Sequence, residues 1–114
     1  MAAPSDSPAL AGLERLLAAG KESALLRFGL GGEYLKRGDA AAAVAQLQRA
    51  VELDPSYSAA WKMLGKALLA AQRFDEARRA WSDGVAAAEH KGDRQAMREM
   101  QVFLRRLAKE HARE

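Results

Sequence analysis

Apolar side chains recur along this chain at helical spacing, in blocks divided by single glycines or by an Asp-Pro step. Leu10, Leu13, Leu16 and Leu17 form the first block, behind Ser7 and Pro8, which read as an N-cap followed by proline at the first helical position. Gly20 closes this helix, predicted over residues 8–19. Leu26, Leu30 and Tyr34 recur every four residues in a second helix, from about Ser23 to Arg37; Gly38 stops it and Asp39 caps the next. Val44, Leu47 and Val51 mark a third, from about Ala40 to Leu53. It ends at Asp54-Pro55, because the residue before a proline is pushed out of the α region. A fourth helix, about Ser58 to Ala71, carries Trp61, Leu64 and Leu68, and a fifth, about Phe74 to His90, carries Ala77, Trp81 and Val85. After Lys91-Gly92-Asp93 a sixth, about Arg94 to Ala108, carries Met97, Met100, Leu104 and Leu107.

Composition supports the same class. Ile, Thr and Asn are absent and Val occurs only at 44, 51, 85 and 102, so the β-branched residues that cover sheet faces are almost missing. Alanine occurs 26 times, and the chain is rich in other helix formers. The expected fold is all-α, a stack of antiparallel helix pairs. At 114 residues there is room for one domain, predicted over 7–110, with residues 1–6 disordered. Having no cysteine, the chain excludes disulfides, thiolate chemistry and sulfur-ligated metals. It shows neither a secretory signal nor an apolar run near the roughly 18 residues of a membrane span, which points to the cytoplasm. The surplus of Ala, Arg and Gly suggests a GC-rich, bacterial source.

The blocks repeat. Sliding the chain along itself until Leu30-Gly31 meets Leu64-Gly65 also lays Ala43 on Ala77, Leu47 on Trp81 and Ala50 on Gly84. A constant offset of this kind marks a repeat architecture. Leu30 and Leu64 serve as knobs between paired helices, while the small residues let the helix axes approach closely.

On these residues the chain resembles the tetratricopeptide repeat family, whose pattern is Trp, Leu-Gly and Tyr in one helix, Ala and an aromatic in the next, and Pro at the junction. In a first repeat over 24–57, Leu30, Gly31, Tyr34, Ala43, Ala50 and Pro55 fit; Leu47 replaces the aromatic and Arg27 stands where Trp is usual. In a second over 58–91, Trp61, Leu64, Gly65 and Ala77 fit, with Leu68, Trp81, Gly84 and Glu89 as departures. The helices at 8–19 and 93–109 then serve as the ends that such a stack requires. The resemblance implies a right-handed superhelix with ligands held along the concave face by the first helix of each pair.

That face would present Leu25, Phe28, Gly32, Leu35 and Lys36 from the first repeat and Ala59, Lys62, Lys66, Leu69 and Ala70 from the second. With the last helix shifted by two residues, Met97, Met100 and Leu104 turn inward and Arg98, Val102 and Arg105 form a stripe facing the groove. The ligand-binding set is therefore Leu25, Phe28, Leu35, Lys36, Lys62, Lys66, Leu69, Arg98 and Arg105, and the expected partner is a protein or peptide segment, with acidic groups favoured by the cations. Members that clamp a chaperone's terminal carboxylates use Asn in the groove, and this chain has none. An alternative is self-association through a surface of Met97, Met100, Phe103 and Leu107, giving a weak homodimer rather than a monomer.

Other chemistries find less support. Residues 91–114 hold seven bases and four acids and carry the whole net charge of +3. Yet Asp93, Glu99, Glu110 and Glu114 intervene and no exposed aromatics are expected to interleave the bases, so nucleic-acid binding is disfavoured. Arg37-Gly38-Asp39 spells an adhesion tripeptide but is explained by helix punctuation. The two histidines, His90 at a helix end and His111 in a tail expected to fray, have no nucleophile or metal partner at a recognisable spacing. An enzyme is not expected, and neither is a cofactor or metal.

Overall fold

The computed structural model describes residues 7–111, so the disorder expected for residues 1–6 lies outside the described part. Six helices follow one another: α1 (Pro8–Ala18), α2 (Ala24–Lys36), α3 (Ala40–Leu53), α4 (Ser58–Ala70), α5 (Phe74–Lys91) and α6 (Arg94–His111). No strand occurs among the described residues. Side-chain oxygens cap four of the helices at their N-termini. Ser7 accepts from the Leu10 amide, Ser23 from Leu26, Asp39 from Ala42 and Asp93 from Ala96, at 3.0 to 3.2 Å, satisfying amides that the first turn leaves unpaired.

The turn inside each repeat needs one residue with positive φ. Gly38 supplies it between α2 and α3 at 79°; at the matching place in the second repeat, Gln72 supplies it between α4 and α5 at 61°. The backbone geometry repeats although the residue type does not, which leaves Gln72 in a region that disfavours side chains.

α2 pairs with α3 and α4 with α5; α6 packs on α5 and touches α4, and α1 lies against α2. The two glycines of the repeat sit where expected. A Cβ on Gly31 would overlap Leu47, and one on Gly65 would fall inside the indole of Trp81. Gly84 plays the same part against the last helix, since a Cβ there would lie 2.7 Å from that of Trp61 and 2.5 Å from the Met100 sulfur. Leu30, Leu47, Leu64, Trp81 and Met100 are the largest side chains with next to no exposure; the last four share one core, and Leu30 packs in a second with Leu10 and Leu26. Ser58, also buried, donates its hydroxyl to Asp93 at 2.6 Å and so ties the start of α4 to the cap of α6.

Curvature follows from which helices meet. Backbones of α2 and α4, and of α4 and α6, come within 8 Å of each other, whereas those of α3 and α5 do not. The first helices therefore line the inner side of the stack and the second helices splay on its outer side.

Candidate functional site

The inner face divides into two stretches. Along α2, Phe28 tilts against Tyr57 with ring centroids 5.0 Å apart, half-buried, and Leu35 packs half-buried at the edge of the core. Leu25, one turn before Phe28, is 70% exposed. Lys36 is exposed and paired with Glu33 on its own helix at 3.0 Å. Met63 of α4 lies beside Gly32 of α2, where a Cβ would make only ordinary contact with it.

The second stretch lies between α4 and α6. Lys62 is paired with Glu99 at 2.9 Å, which neutralises it. The Lys66 ammonium stands 5.3 Å from the centroid of the Phe103 ring. Beside them opens a hollow of about 240 Å³ lined by Lys66, Leu69, Trp81, Phe103, Arg106, Leu107 and Glu110. Its floor is apolar, from Leu69, Trp81, Phe103 and Leu107, and its rim carries two cations and one carboxylate. Among the described residues neither Lys66 nor Arg106 forms an ion pair.

Lys66 and Leu69 are thus brought together as expected, but Arg98 and Arg105 are not part of this group. Arg98 lines a separate hollow with Glu89, Gly92, Arg94 and Met97 at the α5–α6 turn, and Arg105 is exposed. The shift by two residues holds, for Met100 is buried as Leu64 is; the stripe assigned to the groove is what changes. Glu99 and Phe103 meet Lys62 and Lys66, and at about 100° per residue Arg98 and Arg105 point roughly a quarter turn or more away from them, opposite the core. Sequence reasoning missed Glu99, Arg106 and Glu110 as groove residues. The spacing of Glu99, Phe103, Arg106 and Glu110, at intervals of four, three and four, was the available signal. Met100 and Leu107, offered as a surface for self-association, are buried in the core, with Met97 and Phe103 packed half-buried beside them. That surface is therefore already in use.

Two further features bear on the frame. Arg27, in the place usually held by Trp, reaches Gln46 at 2.8 Å and Glu22 at 2.7 Å. Arg49 grips the same carboxylate at 3.0 Å, and the hydrogen bonds from Arg49 and then Arg27 hold the Glu22 carboxyl down to about 2. The α1–α2 connection is thereby fastened to α2 and α3 without the missing indole. His111, expected in a frayed tail, instead ends α6 with its ring stacked on Phe74 at 3.9 Å.

The tetratricopeptide repeat profile matches residues 34–98, more than half of the chain. This chain belongs to the tetratricopeptide repeat family. It is similar to a TPR repeat-containing protein of Pseudomonas aeruginosa, 58% identical over 96 residues that cover 84% of this chain and 91% of that one. A protein from Bordetella parapertussis, solved in solution, superposes with a TM-score of 0.79 at 46% identity, covering all of this chain and 95% of that one. The tetratricopeptide repeat domain protein of Salinibacter ruber gives 0.71 at 28% identity, over 82% and 91% of the two chains. Tetratricopeptide repeats are in general protein-interaction scaffolds, and no helix among the described residues is long and apolar enough to cross a membrane.

Proposed function

We propose that this tetratricopeptide repeat protein binds a segment of another protein along its inner face, seating one large apolar side chain in the hollow between α4 and α6. A neighbouring carboxylate of the same segment is met by Lys66 and Arg106. The observation that carries this reading is the hollow itself, an apolar floor under two cations that have no ion-pair partner among the described residues. An apolar recess with a few convergent polar groups is the usual form of a recognition site. Phe28 and Leu25 on α2 extend the contact surface, and Lys62 contributes less because Glu99 already occupies it. No role in catalysis is assigned to any residue.

The test is selection of ligands from a random peptide library displayed on phage, with the full chain as bait. Enriched peptides should combine a large apolar residue with Asp or Glu within two positions of it. A Lys66→Glu, Arg106→Glu variant should lose them at least tenfold in affinity. Selected peptides that lack acidic residues, or that bind the variant as well as the parent, would contradict the reading.

A further inference from the structure

Along the sequence the acids of the last segment alternate with its bases, but the helix separates them. At about 100° per residue, Arg94, Arg98, Arg105 and Lys109 fall within about 60° of arc on α6, opposite the buried Ala96, Met100 and Leu107. All four are exposed, and among the described residues none takes part in an ion pair or a side-chain hydrogen bond. The acids of this segment among the described residues point elsewhere. Asp93 is engaged by Ser58 and the Ala96 amide, Glu99 by Lys62, and Glu110 faces the hollow on the inner side. Glu89 of α5 is the one carboxylate that lines the small hollow beside Arg94 and Arg98.

We infer that this outer face of α6 is a second binding surface, distinct from the inner groove, and that its ligand is the phosphate backbone of a nucleic-acid duplex. With a rise of 1.5 Å per residue the four cations extend over about 22 Å, a length along which a duplex presents many phosphates. Three of the four are Arg, whose planar fork matches phosphate oxygens. The stripe carries no aromatic ring on which unpaired bases could stack, which favours duplex over single strand. Nor does it carry an exposed apolar wedge for a lipid surface, since Met97 and Val102, the larger apolar residues beside it, are both half-buried. Like charge also opposes a symmetric dimer through this face. Recognition would be of the backbone and independent of base sequence.

The experiment is fluorescence anisotropy of a labelled, mixed-sequence 20-base-pair DNA duplex titrated with the full chain. Four phosphate contacts predict a slope of log K against log salt of about −3.6, or about a 150-fold loss of affinity between 50 and 200 mM salt. Replacing Arg94, Arg98, Arg105 and Lys109 by Gln should weaken binding at 50 mM salt more than tenfold with unchanged helicity. The pair Arg98→Gln, Arg105→Gln alone should lower the slope by about 1.8. Neutralising Lys66 and Arg106 should leave duplex binding as in the parent, which separates this surface from the groove. Absence of binding at 50 mM salt, or binding that the Arg98, Arg105 pair does not alter, would overturn the inference. So would polyglutamate that competes as well as unlabelled duplex at equal charge, because the face would then read acidic protein.

Discussion

The indole of Trp81 occupies the space that a side chain on Gly65 would need, and its N–H donates to the Lys62 carbonyl of α4 at 3.0 Å. One glycine and one aromatic therefore set the distance between the helices of the second repeat, as Gly31 and Leu47 do in the first. Gly65→Ala should force the indole aside and lower stability by at least the ~1–3 kcal/mol typical of overpacking, read as a fall in thermal midpoint. Trp81→Phe should cost less, about 1 kcal/mol for the lost hydrogen bond together with some packing. Equal midpoints for Gly65→Ala and the parent would show that the helices do not meet there.

Gln72 holds a positive φ at the turn where the first repeat has glycine. Relief of that strain outweighs the extra freedom glycine gives the unfolded chain. Gln72→Gly should therefore stabilise the protein by about 0.5–1 kcal/mol in urea unfolding. A destabilised variant would mean that the Gln72 backbone is not held in that conformation.

The Glu22 clasp makes a pH-dependent contribution. Its folded-state carboxyl titrates at about 2, below the usual 4.5, so the stabilisation is fully present above the unfolded value and is lost as pH falls toward 2. Glu22→Gln should lower the thermal midpoint at pH 7, and the difference from the parent should shrink as the pH is brought down through 4 to 2.5. A difference that stays constant over that range would remove the carboxylate from the account.

Lys62 and Lys66 lie one turn apart but differ in what faces them. Lys62 is satisfied by Glu99, while Lys66 rests against Phe103 at the rim of the hollow. Lys66→Ala should weaken binding of a selected acidic peptide about threefold to tenfold, whereas Lys62→Ala should change it less than twofold, as isothermal titration would measure. The reverse order would place the ligand at the other end of α4.

Much of the fold was legible because local signals agreed. Ser7 and Asp39 cap, Gly38 and Gly92 terminate, and the constant repeat offset places Gly31 and Gly65 against Leu47 and Trp81 as packing requires. The groove face of α6 was not legible. α5 is longer than α3 and the turn after it shorter, which sets the start of α6 two residues off the offset, and its amphipathic pattern fixes which side is buried without saying which flank adjoins α4. Only the pairing of Glu99 with Lys62 and of Phe103 with Lys66 settles the flank. Likewise the role of Arg27, where Trp is usual, does not follow from its position in the repeat. The clasp on Glu22 depends on Arg49, which lies on the following helix far from Arg27 in sequence, and on a loop residue that periodicity does not reach.

The most direct test is the amide spectrum of the 15N-labelled chain titrated with an acidic, apolar peptide from the library. Binding in the hollow predicts the largest shifts at Lys66, Leu69, Phe103 and Arg106 and at the Trp81 indole N–H. Shifts confined to Gln48, Arg79 and Asp83 around Trp61, with those signals unmoved, would contradict it.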